Sequence, residues 1–211
     1  SNATFVDGNG IIRTSYANLI KYSEAPDNAA WNKNSTGGHS VFSATNNVIA
    51  PDGTLTADTW TADATKFGFF DPTTGTSSPH VPNRWMDDPV TGVQYPTLYE
   101  ADGISQTVDR IPLTSEWVRH SIQVTTLPQQ TQIRIYPLRR DGPVAWIYQL
   151  LTVLPETTYT YSAWYKKVGT KVYVWGLQFV KGSEAGNYYK TTDTISGPPR
   201  YSHDPETLTP T

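Results

Sequence analysis

The chain has 211 residues, with no cysteine, 16 basic and 19 acidic residues, and a formal net charge of −3. That length suits one large all-β domain or two small ones and buries on the order of 70% of its unfolded surface, so no covalent staple is required. A near-balanced charge without a basic run excludes the electrostatic footprint of a nucleic-acid binder, and the absence of cysteine excludes disulfides, thiolate zinc sites and cysteine nucleophiles.

Charged residues make up 17% of the chain against a typical value of about 25%. Its 7 Trp, 13 Tyr and 6 Phe must therefore be solvated by Thr, Ser, Asn and Gln. Ser1-Asn2-Ala3 is read as the remnant of a cleaved expression tag, and 1–14 as that remnant plus a linker. Helical periodicity is interrupted throughout by 16 Pro and 15 Gly; one or two helical turns are expected at Asp27 to Trp31, capped by Asp27. Ala50-Pro51-Asp52-Gly53 reads as a tight turn.

The stretch 66–103 carries Phe67, Phe69, Phe70, Trp85, Tyr95 and Tyr99, too many aromatics for a disordered linker. It is expected as a long ordered excursion, with hairpin turns at Asp71-Pro72-Thr73-Thr74-Gly75 and Asp88-Pro89-Val90-Thr91-Gly92. Beyond it, Val118, His120, Ile122 and Val124 alternate with Arg119, Ser121 and Gln123, and Ile133 and Ile135 with Gln132, Arg134 and Tyr136. Both stretches predict half-buried antiparallel strands.

Trp146 to Val153 and Val172 to Val180 are apolar on both faces and predict central strands. Neither they nor Val144 to Tyr148 approaches the ~20 apolar residues of a membrane helix, so no membrane insertion is expected. In 158–168, Tyr159, Tyr161, Ala163 and Tyr165 form the core face, leaving Thr160, Ser162, Trp164 and Lys166 on the other. Trp60, Trp146 and Trp175 are expected in the core. After Gly197, Pro-rich and Asp-Pro-Glu-Thr sequence, with a turn at Asp204-Pro205, reads as a C-terminal linker over 198–211.

Asn18-Leu19-Ile20-Lys21-Tyr22-Ser23-Glu24 followed by Asp27-Asn28-Ala29-Ala30-Trp31 resembles the opening of the carbohydrate-binding-module-like jelly rolls of bacteriophage tail fibres and tailspikes. Ala50 to Asp58, Pro155 to Trp164, Trp175-Gly176-Leu177-Gln178-Phe179 with Gly182, and Pro199 to Pro205 resemble later segments of that family in order. The Trp117-Val118-Arg119 strand departs from its usual order, and 66–103 has no counterpart in the family. The resemblance implies one antiparallel β-sandwich of jelly-roll type over 15–197, in a virion tail protein facing the exterior, with other tail-fibre segments as partners and a homotrimeric parent. Trp175 and Gly176 stand where related modules carry an Asp pair for calcium, and Glu24 is left as a lone candidate ligand, so no metal and no cofactor are expected.

Catalytic patterns are missing: there is no Gly-x-Ser-x-Gly, no phosphate loop and no His-Glu-x-x-His. His39, His80, His120 and His203 are scattered, with His120 expected as a hydrogen-bonded core histidine. Asp87, Asp88, Glu100, Asp102 and Asp109 have no spacing that pairs them for glycoside cleavage. A binding role rests on aromatics, since sugar C–H faces stack on Trp and Tyr while polar neighbours take the hydroxyls. Alternation places Trp164, Arg119, Arg134 and Tyr136 away from the core. That mixture suits an acidic bacterial surface polysaccharide, and these four residues form the candidate ligand-binding set of a non-enzymatic host-recognition module. The alternative is a structural adaptor or trimerisation module, in which Trp164 packs against a neighbouring subunit and the same aromatics anchor an interface; the other structural reading packs Trp164 under the 66–103 excursion.

Overall fold

The computed structural model describes residues 3–6, 12–15, 17–35, 46–60, 66–70, 84–87, 107–110, 113–126, 128, 130–139, 145–169 and 171–194. Among them there are thirteen strands and no helix. They are β1 Ala3–Val6, β2 Ile12–Ser15, β3 Asn32–Ser35, β4 Asn46–Val48, β5 Ala57–Trp60, β6 Lys66–Phe70 and β7 Arg84–Asp87. There follow β8 Thr107–Arg110, β9 Val118–Thr125, β10 Gln132–Arg139, β11 Ala145–Thr152, β12 Thr158–Val168 and β13 Lys171–Lys181. The fold is all-β.

β1 and β2 form a two-stranded antiparallel sheet inside the stretch expected to be remnant and linker. The other strands form a six-stranded sheet in the order β3-β11-β10-β6-β7-β8 and a five-stranded sheet in the order β4-β5-β13-β12-β9. Pairing is antiparallel except between β7 and β8, which run parallel. β6 and β7 fall within 66–103, so part of the expected excursion belongs to a sheet; the two Asp-Pro turns there lie outside the described residues.

The two sheets share one hydrophobic core. Ile133 and Ile135 of β10 and Ile147 and Leu151 of β11 meet Ile122 and Val124 of β9, Tyr159, Tyr161, Ala163 and Tyr165 of β12, and Leu177 and Phe179 of β13. The alternation of β9, β10 and β12 follows the expectation at Ile122, Val124, Ile133, Ile135, Tyr159, Tyr161 and Tyr165, because burying every second side chain is what a two-layer arrangement requires. It departs at two positions: Val118, expected on the core face, is exposed, and Tyr136, expected to point away from the core, is buried. A polar thread crosses the core: the Tyr161 and Tyr165 hydroxyls lie 2.9 Å apart, and Tyr165 donates to the Pro137 carbonyl of the opposite sheet at 3.1 Å. Burial pushes both phenols above their ordinary range, so they stay protonated donors.

β13 does not alternate simply. Tyr161 pairs with Phe179 and Ser162 with Gln178, but Trp164 pairs with Trp175, so Gly176 and Leu177 together oppose Ala163. This β-bulge shifts the phase: Val172 and Val174 face the core before it, Leu177 and Phe179 after it. Gly176 has φ +65°, and a Cβ there would stand 2.8 Å from Trp164 Cε3, so both its conformation and its surroundings call for glycine. Trp175 is buried as expected, in a second cluster with Ala50 and Ala57, against which Trp164, Trp117 and Tyr188 pack on the outer side of the five-stranded sheet. The side chains of Trp60 and Trp146 lie outside the described residues.

The 17–31 segment joins the two sheets. Leu19 N–H donates to the Phe179 carbonyl at 2.8 Å, and the Gln149 side chain of β11 brackets Lys21, accepting from its N–H at 2.7 Å and donating to its carbonyl at 3.0 Å. Ile20 and Trp31 enter the core. No helix forms at Asp27 to Trp31; the segment is turns, and Asn28 rather than Asp27 supplies the side-chain oxygen, accepting from Ala30 N–H at 2.9 Å. The tight turn at 50–53 is present: Gly53, at φ +84°, donates to the Ala50 carbonyl at 3.0 Å and links β4 to β5.

Candidate functional site

The four candidate residues fall into two pairs on two different sheets. Arg119 and Trp164 lie directly across from each other on β9 and β12. Arg134 and Tyr136 sit two apart on β10. Each pair alternates with residues of the shared core, so each lies on the outer side of its own sheet and the core separates them.

On the five-stranded sheet the Arg119 guanidinium carbon lies 4.5 Å from the Trp164 ring centre. Its Nη1 donates to the Gly186 carbonyl at 2.5 Å and its Nη2 to Ser162 Oγ at 2.9 Å. Burial lowers its pKa from the usual arginine value. Trp164 also meets Trp175 edge-on at 5.1 Å between centres and Tyr188 at 5.6 Å, and Tyr188 in turn lies 4.9 Å from Trp175.

Tyr188 and Gly186 belong to 182–194, which follows β13 back across this face as a strap. Thr160 Oγ1 donates to the Gly182 carbonyl at 2.7 Å, and Gln123 Nε2 to the Ser183 carbonyl. Buried Gln178 donates to the carbonyls of Ala185 and, at 3.0 Å, Asn187, while its Oε1 accepts from Tyr189 N–H at 3.0 Å.

The end of the strap is latched to the 17–24 segment. Asn18 Nδ2 donates to the Leu177 and Tyr189 carbonyls at 3.0 Å each, and Thr191 N–H donates to Ser23 Oγ at 2.9 Å. Glu24, 7% exposed, accepts from Lys190 at 2.5 Å and from the Tyr188 hydroxyl at 3.1 Å. Burial and the Glu24 charge push the Tyr188 phenol above its ordinary range, keeping it a donor. Glu24, the lone candidate metal ligand, thus engages an ammonium and a phenol, and no three His, Asp or Glu side chains converge as a metal site among the described residues. Trp164 is packed under its own chain, a neighbour the sequence did not single out.

On the six-stranded sheet, register places Arg134 opposite Leu150 and Ile135 opposite Gln149, and shifts beyond Ile135. The Arg134 guanidinium carbon lies 4.8 Å from the Tyr148 ring centre, and the Tyr136 and Tyr148 rings are 5.7 Å apart at a tilt of 40°. Arg134 and Tyr148 are half-buried, Tyr136 is buried and Leu150 is exposed. Arg134 Nε is shut away from water with no hydrogen-bond partner. On this face a cation, two phenol rings and an aliphatic side chain lie together.

Tyr148, Trp175 and Tyr188 were missed as members of these clusters. Alternation from Ile147 would have placed Tyr148 beside Tyr136, but the strand reads as apolar on both sides. Tyr188 carries no periodic signal at all. His120 also differs from expectation: its ring lies 6.2 Å from Tyr165, burial lowers its pKa, and its Nε2 is buried without a hydrogen-bond partner.

No protein-family model matches the chain, and no curated protein or solved structure matches it.

Proposed function

We propose that the chain is a non-catalytic carbohydrate-binding, host-recognition module of a phage tail fibre or tailspike, a jelly-roll β-sandwich that binds bacterial surface polysaccharide through the outer face of its six-stranded sheet. The observation that carries this reading is the Arg134–Tyr148–Tyr136 set: a guanidinium 4.8 Å from one phenol ring, with a second ring alongside, on a rigid sheet. The half-buried Tyr148 ring offers a sugar an apolar platform, and the Arg134 cation offers a polar partner. Arg119 and Trp164 have the same composition, but Arg119 already donates to the Gly186 carbonyl of the strap and to Ser162 Oγ of β12, and we assign the pair to stability. The ordered resemblance from Asn18 to Gly182 supports placement in an extracellular virion fibre, where neighbouring segments and a homotrimeric parent supply the other partners.

The test is binding of labelled chain and its Tyr148→Ala variant to a panel of bacterial cells and purified surface polysaccharides, with solution mass measured in parallel. The parent is expected to bind a subset of the panel, and loss of the ring to weaken that binding about tenfold, a change of about 1.4 kcal/mol. Failure of the parent on the whole panel removes the reading.

A second reading, the protein-binding adaptor, is favoured by one observation. Ile49 and Leu55, 64% and 62% exposed, flank the β4–β5 turn, where Trp117 Nε1 donates to the Ile49 carbonyl at 3.2 Å. A trimer that dissociates on Ile49→Ser, together with no glycan binding, would move the assignment to that class.

A further inference from the structure

The charge on the six-stranded face points to a class of ligand. Arg134 is seated on Tyr148 with Nε buried and unpartnered, as Arg119 Nε also is. But where the Nη atoms of Arg119 donate to Gly186 and Ser162, no acceptor and no carboxylate side chain meets those of Arg134 among the described residues. A partly desolvated cation without an anion is unfavourable on its own and is relieved when a ligand brings one.

Arg134 lies directly opposite Leu150 on β11, and Leu150, 42% exposed, shares a face with Tyr148 two residues along that strand.

Resting on the glycan-binding reading above, we propose that the ligand is an acidic glycan, with Arg134 taking the carboxylate of a uronic or related acidic sugar whose ring lies beside Tyr148. A carboxylate is planar and matches the guanidinium fork, and a pyranose ring brings a C–H face for the phenol. A polyphosphate satisfies the charge but gives the ring nothing, a sulfated glycan brings pyranose rings but a tetrahedral anion in place of the planar one, and a neutral glycan leaves Arg134 without its anion.

Affinity electrophoresis of the full chain tests this, through gels containing polygalacturonate, alginate, hyaluronate or polysialic acid. Matched gels contain methyl-esterified polygalacturonate, dextran, mannan or dextran sulfate, and Arg134→Gln and Tyr148→Ala are run alongside. The expected result is retardation by at least one carboxylated polymer, at least about tenfold tighter than by neutral matrices. Arg134→Gln should erase that preference while keeping the parent's urea midpoint, and Tyr148→Ala should weaken all retardation. Retardation by neutral polymers alone, or a preference for acid that survives Arg134→Gln, overturns the acidic assignment and leaves the glycan reading standing. Dextran sulfate binding as tight as carboxylate binding and indifferent to Arg134 also overturns it, because net polyanion attraction then suffices. No retardation in any gel overturns both.

Discussion

The outer faces of the two sheets carry the same chemical pair, an arginine over an aromatic ring, in two different circumstances. Arg119 lies over Trp164 at 4.5 Å and donates to Gly186 and Ser162 of its own chain. Arg134 lies over Tyr148 at 4.8 Å, and no acceptor meets it among the described residues. The first pair is closed by the strap after β13. What separates an element of stability from a ligand platform is whether the fold supplies the acceptors itself. On the proposed glycan-binding reading, the five-stranded half is the seat of stability and the six-stranded half the seat of binding, a division that substitutions can break.

The largest expected effect comes from the buried carboxyl of the five-stranded half. Asp58 is 1% exposed, pairs with core Val174 and has one oxygen without a hydrogen-bond partner. Burial, with the Asp27 charge added, pushes its pKa up to about 8. The folded state therefore holds a proton that the unfolded chain releases near the ordinary carboxylate value of 3.8. Stability should fall as pH rises from about 4 to about 8, by at most about 1.4 kcal/mol per pH unit, and level off above. Asp58→Asn should flatten that slope and be the more stable protein at pH 8 by on the order of several kcal/mol. Urea unfolding of both proteins at a series of pH values checks this, and equal slopes would show that Asp58 is not the group responsible.

Next in size is a matched pair of truncations. Trp164→Ala opens a void among Trp175, Tyr188 and Arg119 and releases the strap's aromatic anchor, costing about 2–3 kcal/mol. Tyr148→Ala, on the half-buried outer face of the other sheet, should cost below about 1 kcal/mol while weakening glycan binding about tenfold. Denaturation midpoints and binding measured on the same two variants decide whether stability and recognition separate in this way. A Trp164→Ala protein that keeps its midpoint and loses glycan would reverse the two assignments.

The sequence made one part of this division readable and hid the other. Period-2 alternation in β9, β10 and β12 correctly put Ile122, Ile133 and Tyr161 inside and Arg119, Arg134 and Trp164 outside, because that signal is local to each strand. Alternation says that a residue leaves the core but not from which sheet it leaves. Sheet membership depends on pairings such as Trp164 with Arg119 and Tyr136 with Gly68, which join residues 45 and 68 positions apart. Four residues that looked like one site were therefore two pairs. The strap was illegible for a related reason: it is held by Gln178, Thr160 and Asn18 contacting its backbone carbonyls, and carbonyls are present whatever the side chains. In β13 the apolar stretch from Val172 to Val180 concealed the change of phase at the bulge around Gly176 and Leu177.

That glycine gives the smallest and most discriminating measurement. Gly176→Ala should cost about 2 kcal/mol for two separable reasons. One is intrinsic, since φ +65° is unfavourable for a residue with a Cβ by about 1 kcal/mol. The other is a collision, since the added carbon would lie 2.8 Å from Cε3 and 2.9 Å from Cζ3 of Trp164. Removing the indole removes only the collision. In a Trp164→Ala background, Gly176→Ala should therefore cost about 1 kcal/mol rather than 2, a coupling of about 1 kcal/mol between the two sites. No coupling would mean that the indole moves aside freely and that the strap does not hold it. A full 2 kcal/mol of coupling would mean that the bulge tolerates alanine and that the contact alone selects glycine. The intermediate value is expected because the bulge that rephases β13 and the strap that covers Trp164 meet at this one backbone position.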